Sequence, residues 1–380
     1  MGWIKGFTVK VPFFDFALAP ESLLLDWKDV FASVVSEGKF IQGSTVREFE
    51  KEWASLTGSN FAIGVGNGFD GLAVALRALG LNPGDRVAVP AHTFIACWFA
   101  IHSVGGVPVG IDVDSKGLMD LEILESLEPK PKYVMPVHMH GAMVDMPRLM
   151  HWANLCNVMV VEDASQAHLA SLNGKYSGTW GHIGVFSLYP TKNLGALGDA
   201  GIVITDNTEV ADRVRSLTNY GSTGNIKYQH ASFGINSRLD SLQAAFLLKA
   251  LPNLIHWNRH RKSLSTQYEL ALSGVAGIAP LHNKQTNQVW HHYAIVTSQR
   301  DALREFLTEK GVVTDIHYPY CAAEEYQNIF GGNELFPQAL LISRNILSLP
   351  ISQWHSKEQI AYVAETIIDF FKLSNESSNE

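Results

Sequence analysis

The stretch Ser187-Leu-Tyr-Pro-Thr-Lys-Asn-Leu-Gly-Ala-Leu-Gly-Asp199 follows an apolar run at 183–186 and changes from apolar residues to hydroxyls, one lysine and glycines. This pattern predicts a loop just past a buried strand, with Lys192 at its centre. Partial desolvation in such a place lowers the pKa of a lysine and frees the neutral amine to attack a carbonyl. The alternative is a solvated loop lysine, the usual state of this residue type.

On both sides of this stretch, short apolar runs alternate with helical patterns of about ten residues. Such alternation implies right-handed crossovers and a mostly parallel sheet buried on both faces, which makes this part of the chain an α/β domain. The predicted strands are 61–65, 86–90, 107–112, 132–137, 158–162, 184–188 and 201–205.

After residue 250 the pattern changes to a smaller α+β domain. Strands are predicted at 292–297 and 312–317, with a helix at 301–310 between them. We therefore divide the chain into an N-terminal arm with a large domain, a small C-terminal domain and a polar tail. Their limits are 1–250, 251–372 and 373–380.

Composition narrows the functional classes. The chain has 380 residues, 46% of them hydrophobic, and a net charge of -8 with no long basic run, which argues against a polynucleotide partner. The cysteines Cys97, Cys156 and Cys321 form no C-x-x-C pair, which suits a reducing compartment. We expect a cytoplasmic protein without a membrane anchor, because the most apolar stretch, 94–113, is interrupted by polar residues, glycines and a proline.

A glycine-rich turn at 66–71 fits G-x-G-x-x-G and lies between a predicted strand and a helix. Free N–H groups at a helix start, together with the helix dipole, bind anions. A dinucleotide site would need an acid after the next strand, but Asp85 precedes that strand. A single phosphate therefore fits this turn better than NAD, although a turn without a ligand remains the alternative.

The strand at 158–162 delivers Asp163 to its carboxyl end, where α/β sheets bind ligands. A desolvated carboxylate there suits a protonated heterocyclic nitrogen, while a helix cap is the structural alternative. Pyridoxal phosphate needs a lysine, a carboxylate on its ring nitrogen and a phosphate cradle. Lys192, Asp163 and the turn at 66–68 supply these three requirements from one predicted sheet edge.

Several segments, in matching order, resemble the DegT/DnrJ/StrS family of nucleotide-sugar aminotransferases. The resemblance extends from 11–15 to 347–350 and implies a fold-type-I pyridoxal phosphate enzyme. The segments that carry it are 64–72, 83–85, 89–94, 136–138 with Gly141, 162–168, 186–193, and 236–240 with 242–245.

The resemblance implies roles for single residues. Lys192 matches the lysine that binds the cofactor aldehyde and then moves the proton, which makes it the catalytic residue. Asp163 matches the partner of the pyridine nitrogen. The other implied cofactor contacts are Gln166 beside the ring oxygen, Phe94 on the ring face, Ser187 with the backbone of Gly68, Phe69 and Asp70 at the phosphate, and Asn236 donated by a second subunit.

Three positions depart from the family pattern. Phe69 replaces a threonine of the glycine turn, Leu169 replaces a small residue, and His140 replaces a common tyrosine. A dehydrating branch of the family carries histidine at the lysine position, so Lys192 favours amine transfer. Candidate sugar or diphosphate contacts are Tyr189, Lys227, His317 and Tyr318, with packed aromatics and a solvated lysine as the structural alternatives.

No metal site is predicted, because the pairs His138/His140 and His291/His292 lack helical i, i+4 spacing and a carboxylate. The sequence therefore predicts a homodimeric, pyridoxal phosphate-dependent transaminase. By resemblance the amino donor is L-glutamate and the acceptor a dTDP-3-keto-6-deoxyhexose, with a C4 enzyme on a UDP- or GDP-ketosugar as the alternative. From other classes, an NAD-dependent oxidoreductase and a non-catalytic pyridoxal phosphate-binding regulator remain open.

Overall fold

The structure is a computed structural model that describes residues 9–224, 226, 228–282 and 285–377, with side chains up to residue 373. Its helices are Glu21–Glu37 (α1), Ser44–Thr57 (α2), Gly68–Ala78 (α3), Ala96–Ser103 (α4), Leu121–Ser126 (α5), Met146–Cys156 (α6), Thr208–Leu217 (α7), Ser241–Ala250 (α8), Leu254–Leu272 (α9), Arg300–Glu309 (α10), Ala322–Phe330 (α11), Pro337–Asn345 (α12) and Lys357–Ser377 (α13). The strands are Phe61–Val65 (β1), Arg86–Pro90 (β2), Val107–Ile111 (β3), Tyr133–Val134 (β4), Met159–Asp163 (β5), Ser171–Leu172 (β6), Lys175–Tyr176 (β7), Ile183–Ser187 (β8), Gly201–Thr205 (β9), Ala279–Pro280 (β10), Tyr293–Val296 (β11) and Ile346–Leu349 (β12).

The large sheet has the strand order β1-β9-β8-β5-β4-β2-β3 and is parallel except for β9, which runs against both of its neighbours. Because β9 is antiparallel to β1 and to β8, these two strands point the same way as β5. The carboxyl ends of β1, β5 and β8 therefore meet at one edge. The predicted α/β class with a mostly parallel sheet is confirmed.

Helix α3 packs unusually close to strand β8 because of a glycine. A Cβ placed on Gly71 would lie 2.7 Å from Val185 Cγ1, so a larger residue there would push the helix off the sheet. Asn67 caps the helix by accepting a hydrogen bond from the Asp70 N–H at 2.8 Å. The start of α3 is thereby fixed beside the end of β8.

The C-terminal part builds an antiparallel sheet in the order β10-β11-β12, with α9, α10 and α13 covering its apolar residues. Val11 belongs to this core, and the Val313 N–H donates to the Val11 carbonyl at 2.9 Å. Residues 289 and 294 pack instead in the core of the large sheet. The domain limits at 250 and 372 stay predictions.

Arg261 on α9 anchors the segment that precedes β11. It is 1% exposed, and its Nη1 donates to the carbonyls of Trp290 (3.1 Å), His291 (3.3 Å) and Ile351 (3.1 Å). Its Nη2 donates to Gln353 Oε1 at 2.7 Å. Burial lowers the pKa of the guanidinium to about 9, so these four acceptors stabilise a charge that has lost its water.

Some predicted elements differ from the structure. Residues 312–317 form only isolated bridges, Val312 with Val11 and Asp315 with Ser348, instead of a strand. The last helix continues to Ser377, into the stretch 373–380 that was expected to be a polar tail. In both places local composition was a weak guide. The pairing of a strand depends on partners that are distant in the sequence, and the polar end of a helix is stabilised by little packing.

Candidate active site

A cavity of about 560 Å³ opens at the edge where β1, β5 and β8 end. It brings together most of the predicted site residues. Those that line it are Gly68, Phe69, Phe94, Asp163, Gln166, Ser187, Tyr189, Lys192, His317 and Tyr318.

Lys192 lies in a tight loop after β8. Its N–H donates to the Tyr189 carbonyl at 2.9 Å, and a Cβ on Gly195 would lie 2.3 Å from the Pro190 carbonyl oxygen, so the loop needs glycine there. Burial lowers the pKa of the Lys192 amine to about 8, and the negative charge of Asp163 opposes part of this effect. The amine therefore gives up its proton more readily than a solvated lysine does.

Asp163 ends β5 and is 5% exposed. Its Oδ1 accepts from the Ser165 N–H at 3.0 Å, and its Oδ2 accepts from Cys97 Sγ at 3.0 Å. Its backbone is held by Pro136 and His138 at 2.9 and 3.0 Å. The carboxylate is thus fixed in position, with one oxygen on a backbone donor and the other on a thiol whose own pKa is raised by burial.

The start of α3 and the end of β8 form a cradle whose donors suit an anion. The Gly68 and Phe69 N–H groups at the helix start have no acceptor among the described residues. The Asn67 side chain, which caps the helix, accepts from the Asp70 N–H instead of from either of these two. Ser187 and Ser165 lie beside them, joined by a 3.2 Å bond from the Ser187 N–H to Ser165 Oγ. A Cβ on Gly68 would lie 2.9 Å from Ser187 Cβ and fill this space.

The orientation of the Gln166 amide is determined by its two partners. Its Oε1 accepts from the His140 N–H at 2.7 Å, so its Nε2 is the donor to Tyr318 Oη at 3.2 Å. A second Nε2 hydrogen remains for an acceptor in the cavity. Phe94, which is 52% exposed, lies 5.3 Å from the Tyr318 ring and offers a flat aromatic face.

Other predicted residues lie elsewhere. Asp70 does not line the cavity, and its N–H is already used by Asn67 in the helix cap. Asn236 is exposed and forms a bridge with Asn219. Lys227 falls outside the described residues.

Sequence reasoning missed several residues of the cavity wall, namely Cys97, Ser165, His291 and His292. Ser165 stands two residues after Asp163, and this spacing was a usable signal for a side chain at the same strand end. Cys97 reaches Asp163 across 66 residues of sequence. Nothing in a single sequence indicates such a pair.

The cavity fits pyridoxal phosphate. The cradle at Gly68 would be filled by a single added Cβ, the fixed carboxylate of Asp163 suits a protonated ring nitrogen, and Lys192 carries the amine that an aldehyde requires. Fold and site together define a fold-type-I pyridoxal phosphate enzyme. The chain belongs to the DegT/DnrJ/EryC1/StrS aminotransferase family, whose model matches residues 26–368.

Relatives match over almost the whole chain. A dTDP-3-amino-3,4,6-trideoxy-alpha-D-glucose transaminase of Streptomyces venezuelae is 38% identical over 365 residues, covering 95% of this chain and 96% of that protein. The crystal structure of S. venezuelae DesV in complex with a ketimine intermediate has a TM-score of 0.92 at 37% identity and covers 96% and 99%. NtdA of Bacillus subtilis with bound cofactor PMP has a TM-score of 0.88 at 30% identity and covers 97% and 86%.

Family membership confirms the prediction of a sugar aminotransferase with pyridoxal phosphate as its cofactor. It overturns the alternatives of an NAD-dependent oxidoreductase and of a non-catalytic regulator. The roles of the single residues stay predictions. Among the described residues, no helix is both long and apolar enough to span a membrane.

Replacing Gly68 by alanine tests the cradle. The new Cβ would crowd Ser187 at 2.9 Å, so we expect the variant to bind pyridoxal phosphate at least about tenfold more weakly. Titration of the cofactor-free protein with pyridoxal phosphate, followed by fluorescence, measures the affinity. Gly80→Ala is the matched control: its positive φ of 85° strains alanine, but its Cβ has nothing within 4 Å. It should lower Tm without weakening cofactor binding, and equal affinities for the two variants would contradict the cradle.

Proposed function

We propose that the chain transfers the amino group of L-glutamate to C3 of a dTDP-3-keto-6-deoxyhexose. The convergence of Lys192, Asp163 and the Gly68 cradle on one cavity carries the transaminase part of the proposal. The sugar and the position rest on the relatives whose names specify a dTDP-linked 3-amino sugar.

When bound, pyridoxal phosphate supplies an electron sink for the carbon that loses or gains a proton. The Asp163 carboxylate, which Ser165 and Cys97 keep in position, would hold a proton on the ring nitrogen. The Gly68 and Phe69 N–H groups, with Ser187, would bind the phosphate. Phe94 would offer its ring to a face of the cofactor, and the Gln166 amide would donate to its ring oxygen.

Lys192 Nζ moves the proton between the cofactor and substrate carbons. With a pKa of about 8, this amine gives and takes a proton near neutral pH, which suits a general acid and base. Tyr189, His317 and Tyr318 lie on the cavity wall and serve as contacts for the sugar or the diphosphate. Lys227 completes this set of predicted contacts.

The active site is shared between two subunits in this proposal. Asn236 is exposed, as a residue reaching into a neighbouring site must be. Phe69 lines the cavity and is 37% exposed, and together with Phe233, which is 82% exposed, it also lines a neighbouring groove. This is aromatic surface that a second copy would cover. Cys97, Cys156 and Cys321 form no disulfide, which agrees with a cytoplasmic enzyme.

A panel of ketosugars tests the substrate. We expect the purified enzyme with L-glutamate to aminate a dTDP-3-keto-6-deoxyhexose and to form one 2-oxoglutarate per amine, measured by mass spectrometry. The matched acceptors are the dTDP-4-keto isomer and UDP- and GDP-linked ketosugars. Product from the 4-keto isomer alone, or from UDP- or GDP-sugars alone, would contradict the proposal. A reaction without L-glutamate is the control for carried-over donor.

A further inference from the structure

Four imidazoles line or back one wall of the cavity, and we call His140, His291, His292 and His317 the imidazole cluster; the first three are buried and His317 is partly buried. His292 and His317 are stacked with ring centroids 3.8 Å apart, and His291 lies 4.0 Å from His292. His140 Nδ1 and His292 Nδ1 are 3.3 Å apart. Nothing in the proposed chemistry uses His140 or His292.

The contacts leave one edge of His292 for the cavity. The ring centroids of His291 and His317 lie 4.0 and 3.8 Å from that of His292, so both rings pack against the faces of the His292 ring and not against its edges. The Nδ1 edge points to His140, which does not line the cavity. His292 does line it, so the edge that carries Nε2 is the one presented to a ligand.

A bond between two Nδ1 atoms requires one donor and one acceptor. Burial lowers the pKa of both His140 and His292 well below the usual value, so both rings are neutral and each carries one N–H. His140 is 2% exposed, and its Nε2 has no partner among the described residues. A buried N–H without an acceptor costs more than an unused lone pair, so the proton of His140 sits on Nδ1.

It follows that His140 donates to His292. His292 Nδ1 then accepts, and its proton is on Nε2. The position of His140 is itself determined by the backbone, because its N–H donates to Gln166 Oε1 at 2.7 Å and its carbonyl accepts from the His291 N–H at 3.1 Å. Its φ of 56° is tolerated because both bonds hold it.

We propose that His140 is a positioning residue that holds His292 in the Nε2–H tautomer, and that His292 thereby donates a neutral hydrogen bond to a substrate oxygen in the cavity. The identity of that substrate rests on the proposed function. Either a carboxylate oxygen of the amino donor or a hydroxyl or keto oxygen of the sugar presents the required acceptor. Lys192 is the one cation among the described lining residues, so neutral donors must contribute to holding either molecule.

Nitrogen-15 NMR of the histidine-labelled, cofactor-loaded enzyme tests the tautomer without any turnover. We expect the His292 signal, assigned by its loss in His292→Gln, to show a protonated Nε2 and an unprotonated Nδ1. In His140→Phe, which keeps a flat ring but removes the donor, this preference should be lost. A His292 protonated on Nδ1 in the unaltered enzyme would overturn the proposal.

Half-reaction kinetics test the ligand contact and separate its two sources. His292→Leu should raise the KM of one substrate about tenfold with kcat nearly unchanged, and His292→Gln, which keeps an N–H donor, should restore most of it. A defect with L-glutamate alone would identify the donor carboxylate as the acceptor of the His292 hydrogen bond. A defect with the ketosugar alone would identify the sugar oxygen as that acceptor. Equal losses in the Leu and Gln variants would mean that only shape matters and would refute the donor role. Inactivity toward every ketosugar would contradict the proposed function, while the NMR and glutamate results would still decide this inference.

Discussion

Lys192→Ala should lower kcat at least about 10⁴-fold, because it removes both the nucleophile for the cofactor aldehyde and the group that moves the proton. Its amine has a pKa of about 8 through burial, and no other lysine lines the cavity among the described residues. The visible absorbance of the lysine-bound cofactor should disappear as well. Steady-state assays with L-glutamate and the accepted ketosugar, together with absorbance spectra, measure both effects.

Lys39→Ala is the matched control, because Lys39 is an exposed lysine that does not line the cavity. It should retain the kcat and the spectrum of the unaltered enzyme. If Lys192→Ala kept activity within tenfold of that enzyme, another group would have to move the proton, and the assignment of Lys192 would be wrong.

Asp163→Asn has the second largest expected effect, a fall in kcat of about 10³-fold. The amide has nearly the same shape, and its oxygen can still accept from the Ser165 N–H. It lacks the charge that keeps a proton on the ring nitrogen, so the ring draws electrons from the reacting carbon less strongly. Kinetics at saturating cofactor, with bound cofactor quantified, separate lost chemistry from lost binding.

Asp212→Asn provides the comparison, since Asp212 is exposed on α7 and does not line the cavity. Its kcat should equal that of the unaltered enzyme. Full activity in a cofactor-saturated Asp163→Asn variant would show that the ring nitrogen needs no negative partner in this enzyme.

Much of the fold followed from patterns within single segments. The strands at 61–65, 86–90 and 201–205 have the predicted bounds, because each is a short apolar run that is buried in the large sheet. The stretch 312–317 looked similar but lacks a neighbouring strand along its length. Pairing partners far away in the sequence decide such cases.

The candidate site was predictable where chemistry follows a strand end. Asp163 ends β5, Gly68 begins α3 shortly after β1, and Lys192 lies in the loop that follows β8, and the parallel arrangement of these three strands brings such residues together. The bonds from Cys97 to Asp163 and from His140 to His292 join residues 66 and 152 positions apart. Tautomers and side-chain contacts of this kind depend on packing that one sequence does not reveal.

Arg261 has a consequence for how reactants reach the cavity. It ties Trp290, His291 and Ile351 into one buried network. The wall of the cavity formed by the imidazole cluster is therefore held rigidly in place. Two different reactants must nevertheless enter and leave in succession. Their passage therefore lies past the part of the cavity lining that stays exposed, where Phe94 is 52% and Tyr189 51% exposed.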